Sequence, residues 1–432
     1  MRMTPHSGSH RRVSGLAAVL LMAAVPDVWA QSTTAAPTTP PATTTGSGTA
    51  TTTTQDELKT KLDIYGFAML DNGYQVEQND SPWFDVLRPT KLPASEHEFG
   101  RDGHWFAGVR QSRLGVKSST QTALGELRTT FEFELFGTGV DAGQTTFRLR
   151  HAWGELGQLG AGQTWSPFMD PDVFPNSIEY WGPNGMVFFR NVQLRWTPWS
   201  NGNSNAMVAI ERPGATGDQG DFADRIELQN VRGRFPAPDI SGHVRLGRPW
   251  GHFQAAGIVR WMYWDDLLED QFNLDGNAVG WGVNLSSNVK LGRHLARLQV
   301  VFGEGIENYM NDAPVDVGIR LNPTNRVTPV LGEALPLLGT VAFIDLNWSD
   351  KWTSTVGYSS LRIDNSDGQS ADAFHNGFYA LGNILYYPVK NVFVGPELQW
   401  GKRENFTDGF TSDDWRVQVS AKWNFSLSIG GQ

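Results

Sequence analysis

Side chains along much of this chain alternate in character at every second position. From Glu126 to Phe136, one face of an extended chain carries Leu127, Thr129, Phe131, Phe133 and Leu135. The other face carries Glu126, Arg128, Thr130, Glu132 and Glu134. The stretch from Trp415 to Ile429 repeats the pattern, with Trp415, Val417, Val419, Ala421, Trp423, Phe425, Leu427 and Ile429 opposite Arg416, Gln418, Ser420, Lys422 and Asn424. A period of two is that of a β-strand. After the N-terminal segment, no run approaches the roughly eighteen consecutive apolar residues of a membrane helix. A soluble sheet also alternates, but here Phe and Trp sit near strand ends while Arg and Glu fill the opposite face. That suits a barrel with an apolar outer band, aromatic girdles and a wet interior. The 17 Trp and 24 Phe of the 432 residues agree with such girdles.

Alternating runs lie at 62–71, 105–117, 125–137, 145–157, 159–166, 187–198, 204–212, 225–235, 238–247, 252–263, 277–290, 293–304, 338–349, 352–363, 374–388, 391–402 and 413–429. An antiparallel outer-membrane barrel closes on an even strand number. The short connections at 199–203, 248–251, 291–292, 350–351 and 389–390 all fall on one side only if 225–235 belongs to a long loop from 213 to 238. The expected fold is therefore all-β, a 16-stranded antiparallel transmembrane β-barrel with a constriction loop after strand 5. Sixteen strands enclose an aqueous lumen. Short turns are expected on the periplasmic side and long loops outside the cell.

Residues 1–30 read as a signal peptide, with basic Arg2, Arg11 and Arg12, an apolar core from Leu16 to Val25, and small residues before the cleavage point at Val28-Trp29-Ala30. Residues 31–60 begin with a Thr/Pro/Ala tract and read as a disordered periplasmic leader, leaving 61–432 for the barrel. Loss of the signal removes three Arg and one Asp and takes the net charge from −10 to −12, which argues against a nucleic-acid partner. The absence of Cys excludes thiolate metal sites and Cys nucleophiles.

No HExxH or GxSxG pattern is present, so neither an enzyme nor a cofactor is expected. His151, His243 and His294 stand singly in strands as wall residues, and Asp364 to Gly368 lacks the closing Glu of a calcium loop. The arginines carry more information. Arg113, Arg148, Arg150, Arg195, Arg260, Arg297 and Arg416 lie on polar strand faces, and Arg190 opens strand six. Arg190 shares its face with Val192, Leu194 and Trp196, so it points inward only through a bulge or a loop ending. Such residues line a lumen and pair with wall acids such as Glu132, Glu134 and Glu397, or they form the positive ring of an anion-selective pore. Gln163 on strand five belongs with them, and Asp170, Asp172 and Glu179 supply acids from the loop after that strand.

Several stretches resemble the DcaP-like outer-membrane transporter family: Asp63 to Phe67, Val109 to Lys117, Phe131 to His151, Gly162 to Phe168 and Val173 to Asn191. The resemblance covers residues 62 to 425 and implies a homotrimeric porin-like channel in the Gram-negative outer membrane, surrounded by its lipid and lipopolysaccharide. It also implies passive uptake of small dicarboxylates or similar anions. A looser likeness to general trimeric porins implies constriction arginines at Arg113, Arg150 and Arg190, opposed by Asp170, Asp172 and Glu179. The chain departs from the pattern in carrying a Thr/Pro tract where relatives often have a coiled coil, and in continuing past Phe425 to Gln432. A non-selective diffusion porin keeps the same fold, whereas an outer-membrane lipase or a secreted β-sandwich would need other signatures.

Overall fold

A computed structural model describes residues 60–430; the signal and the leader up to residue 59 lie outside them. One antiparallel sheet closes on itself, its first strand pairing with its last from Leu62 opposite Ile429 to Gln75 opposite Arg416. Its nineteen hydrogen-bonded segments make sixteen strands, because three strands are each interrupted once. In chain order these are β1 (Thr60–Gln75), β2 (His104–Gly108 and Arg113–Thr122), β3 (Gly125–Phe136), β4 (Thr145–Leu156) and β5 (Leu159–Trp165). Then come β6 (Arg190–Asn201), β7 (Ser204–Glu211), β8 (Val231–Arg234 and Asp239–Arg248), β9 (Gly251–Asp266), β10 (Gly276–Leu291) and β11 (His294–Glu304). The last five are β12 (Pro336–Asn347), β13 (Trp352–Ile363), β14 (Phe374–Asn383 and Leu385–Tyr386), β15 (Val392–Asn405) and β16 (Thr411–Ile429). The expected strand count stands, with one loop segment reassigned to a strand. Residues 231–234, assigned to a loop by connection length, hydrogen-bond to β9 through Tyr263–Asp266 and extend β8.

Short turns gather at one end of the barrel and long loops at the other. Tight connections at Gly202 and Gly292 take φ of 58° and 64°, the left-handed geometry that matches the twist of a two-residue hairpin. The longest connection, between β11 and β12, carries its own hairpin of Val317–Leu321 and Val330–Ala334.

The barrel is apolar outside and polar inside. On β16, Trp415, Val417 and Val419 are exposed while Asp414, Arg416, Gln418 and Ser420 are buried. On β3, Phe131 is exposed and Glu132 and Glu134 are buried, as the alternation requires. The interior also holds apolar packing on one side. Phe168, Met169, Val173, Met186 and Val187 of the β5–β6 loop (166–189) pack with inward residues of β9 and β11–β14, among them Ile258, Val301, Val341, Phe343, Leu361 and Tyr379. The loop backbone runs so close to that wall that a Cβ on Gly185 would overlap the carbonyl oxygens of Ser360 and Thr340. The β5–β6 loop is therefore folded into the barrel and fastened to its β8–β14 side.

Strand β4 departs from strict alternation. Glu132 pairs with His151 but Phe133 pairs with Leu149, leaving Arg150 as the extra residue of a β-bulge. Beyond the bulge the faces exchange, so Arg150 and His151, neighbours in sequence, are both buried, and Trp153 follows them inward. Unbroken alternation from Phe147 would put His151 and Trp153 on the outer face with it, but Phe147 alone of the three is strongly exposed. Gln163 donates from Nε2 to the Leu149 and Arg150 carbonyls at 3.3 and 3.4 Å, holding the carbonyls that flank the bulge.

Candidate functional site

Four of the arginines singled out in the sequence, three by strand facing and Arg190 by its place at the start of strand six, converge on two glutamates. Arg150 reaches Glu132 with Nε and Glu134 with Nη1, both at 2.6 Å. Arg113 approaches Glu134 at 3.1 Å and Glu132 at 3.6 Å from β2. Arg148 lies 3.6 Å and Arg190 3.8 Å from the other oxygen of Glu134. Tyr65 donates to Glu132 at 2.8 Å, and Tyr180, from the folded-in loop, donates to Glu134. Arg148 and Arg150 reach this group on the inward face that alternation gives them, and the bulge adds His151 beside them. Arg190 needs no bulge of its own: as the first residue of β6 it lies at the loop ending, and its guanidinium sits 4.7 Å over the Trp165 ring. One of its nitrogens is buried without a hydrogen-bond partner.

Four guanidinium groups around two carboxylates leave an excess of two positive charges. The excess faces a cavity of about 340 Å³ on the long-loop side, lined by Arg148, Gln163, Tyr180, Trp181, Arg190 and one carboxyl, that of Glu307, which burial pushes well above the usual carboxylate range and so toward its neutral form. Arg88 also lines it, held by Asp312 at 2.8 Å and stacked over Trp83 and Trp181 at 4.2 and 4.1 Å. Charge in such a partly dehydrated place acts more strongly than in bulk water.

The other expected site residues go elsewhere. Arg195 donates to Gln193 and to the Trp165 carbonyl at 2.6 Å and stacks over Trp153 at 4.7 Å. Arg260 is fully buried between Asp239 at 3.1 Å and Asp316 at 2.6 Å and also donates to the Gly305 and Gly214 carbonyls. Arg297 pairs with Asp345 at 2.6 Å. Arg416 donates to the Asp85 carbonyl and to Gln418, with Phe106 4.1 Å from its guanidinium. These four hold strands and loops together and do not join the cluster. Gln163 lines the cavity, but its amide group serves the bulge.

The loop acids also differ from the expectation that they oppose Arg113 and Arg150. Asp170 accepts from His252 at 2.6 Å, Ser286 at 2.7 Å and Arg245 at 3.2 Å, all on β8–β10. Asp172 pairs with Arg245, and its carbonyl accepts from Asn288 and Arg297. Asp170, Asp172 and His252 lie close enough together for a metal, but Arg245 donates to both carboxylates and to His252 Nδ1, so a guanidinium already supplies the positive charge. Glu179 accepts from the Leu87 and Gly182 amides and from Tyr379. Burial pushes its carboxyl up to about 7, against the opposing pull of the Arg416 charge and the Gly182 and Trp181 amides. All three acids fasten the loop to the barrel. Alternation had already turned Glu132 and Glu134 inward, whereas Tyr180 and Arg88 lie in aperiodic loops and left no such signal.

A family model of the DcaP outer membrane protein matches residues 44–306. Among solved structures, the outer membrane channel DcaP of Acinetobacter baumannii is similar with a TM-score of 0.70 at 21% identity, over 85% of this chain and 98% of that one. The anion-selective porin from Comamonas acidovorans aligns with a TM-score of 0.55 at 11% identity, over 85% of this chain and 100% of that one. The trimer form of OmpT, an outer membrane protein of Vibrio cholerae, aligns with a TM-score of 0.52 at 11% identity and the same coverage. No curated protein sequence matches the chain.

Proposed function

Because this chain belongs to the DcaP outer membrane protein family and is thus an outer-membrane channel, we propose that it takes up small anionic solutes passively, dicarboxylates foremost. The observation that carries this reading is the unequal count at Glu132 and Glu134, where four arginines share two carboxylates. Two uncompensated positive charges beside one cavity suit a solute with two negative ones. A carboxylate that sheds water there regains hydrogen bonds from guanidinium forks, which offset its dehydration. Cations meet an unfavourable field at the same place. Arg148 and Arg190 are the residues expected to touch the solute, with Arg113 and Arg150 holding the glutamates between them. The channel works as a homotrimer in outer-membrane lipid and lipopolysaccharide, and its exposed Val, Leu, Phe and Trp band faces lipid or a neighbouring copy.

The test is the reversal potential in a potassium chloride gradient across a planar bilayer. Wild type is expected to be anion-selective. Arg148→Ala combined with Arg190→Ala is expected to lower the anion-to-cation permeability ratio roughly 3- to 10-fold, since both charges act at short range in a narrow passage. Equal anion and cation permeability in wild type would establish a non-selective diffusion porin instead.

A further inference from the structure

A second cavity, of about 290 Å³, lies on the other side of the arginine cluster, lined by Tyr65, Phe67, Arg113, Glu132, Asn391 and Asn424 among others. Asn391 belongs to the turn between β14 and β15, so this cavity lies toward the short-turn end. Arg113 and Glu132 are its boundary with the cluster.

The walls next to this cavity interleave cations with aromatic rings. On β1, Phe67 lies opposite Arg113 of β2 and opposite Asn424 of β16. Two residues before Asn424 and on the same face comes Lys422, which pairs across to Phe393 of β15. The Lys422 ammonium sits 3.8 Å from the centre of the Phe67 ring and 5.7 Å from that of Phe393. The Arg113 guanidinium lies 5.3 Å from the same Phe67 ring, and Lys117 is 4.9 Å from Tyr65. Among the described residues Lys422 has no carboxylate within ion-pair distance and makes no hydrogen bond from Nζ. The nearest inward acid of β1, Asp71, is buried and accepts from Ser420 at 2.6 Å and Gln418 at 3.1 Å. Arg113 already shares both its glutamates with other arginines.

An ammonium kept over aromatic faces is held in place without being neutralised, because a ring attracts a cation but carries no net charge. The ring does not satisfy all three N–H donors, so they remain available to a passing acceptor. We propose that Lys422, together with Arg113 and Asn424, forms a second station for small carboxylates on the short-turn side of the arginine cluster. A solute leaving Arg148 and Arg190 is passed to it along the Glu132 edge. This station rests on the anion-uptake reading and adds the exit step to it. Dividing the cations between two stations keeps either one from binding tightly enough to stop the flow, which a conducting channel requires.

The test uses the full channel, added from one chamber so that it inserts in one orientation, with succinate as probe and single-channel block as readout. For Lys422→Gln, the association rate of succinate from the short-turn side is expected to fall roughly 3- to 10-fold, the value of one lost charge-assisted contact. Association from the long-loop side is expected to change less than about twofold, and Lys422→Arg should restore the short-turn rate. Lys422→Met, which keeps the stem over Phe67, carries the same expectation if the Gln variant does not yield a heat-modifiable folded band. An unchanged short-turn rate, or equal losses from both sides, overturns the station while leaving the uptake reading standing. A wild type without anion preference in the salt gradient removes both.

Discussion

The two halves of the barrel interior use the same side chain to opposite ends. On the β2–β6 side, Arg113, Arg148, Arg150 and Arg190 share Glu132 and Glu134, and cation outnumbers anion. On the β8–β12 side, Arg245, Arg260 and Arg297 meet Asp170, Asp172, Asp239, Asp316 and Asp345, and anion outnumbers cation. Arg260 alone has two carboxylates and two carbonyl oxygens. An inward arginine is therefore not in itself a selectivity element. What decides is whether its charge is matched, and on the β8–β12 side Asp239 and Asp345 of the strands are joined by Asp170, Asp172 and Asp316 from folded-in loops. The β5–β6 loop fastens to the acid-rich half and meets the arginine-rich half at fewer points, through Tyr180 on Glu134, Phe188 on Trp165 and the Ile178 carbonyl on Gln111, which leaves a cavity beside the arginines.

The comparison predicts different losses from similar substitutions. Arg260→Ala leaves Asp239 and Asp316 buried without a counter-cation and is expected to cost about 3–5 kcal/mol, read by urea unfolding in detergent. Folded Arg260→Ala channels should keep the wild-type reversal potential; a large shift would mean that the matched side also selects. A smaller effect is expected from Glu134→Gln, which keeps an acceptor for Tyr180 but adds one uncompensated positive charge. The anion-to-cation permeability ratio should rise roughly two- to fivefold, and a fall would break the link between charge excess and selectivity.

The smallest effect concerns the loop fastening. The Glu179 carboxyl lies near 7 in the folded protein against 4.5 ordinarily, so the folded state holds its proton more tightly. The stabilisation is complete below 4.5 and is lost as pH rises through about 7. Open-channel noise from loop movement should therefore grow over that window in wild type and be independent of pH in Glu179→Gln. Equal pH dependence in the two would assign the noise to another group.

Much of this was legible in the chain. Alternation at 126–136 and 415–429, the parity of the strands and the lengths of their connections lead to sixteen strands, because a strand's faces and a barrel's closure follow local geometric rules. The inward facing of Arg113, Arg148, Arg150, Glu132 and Glu134 follows from the same period. The period fails at Arg150, where one extra residue turns His151 and Trp153 inward, since a bulge depends on the partner strand's register and not on the run itself. Partnership was legible for the strand pairs of Arg113 and Arg150 with Glu132 and Glu134, and beyond local reading for the loop acids. Asp170, Asp172 and Glu179 lie in a stretch without periodicity, and the wall they reach is decided by how that loop packs against Ile258, Val301 and Phe343, far away in sequence. The amino-acid sequence by itself determined a barrel with charged residues facing inward, because facing is a property of neighbours along one strand. Only the tertiary structure decided which of those charges remain unmatched, because an ion pair is made across strands and loops that chain order keeps apart.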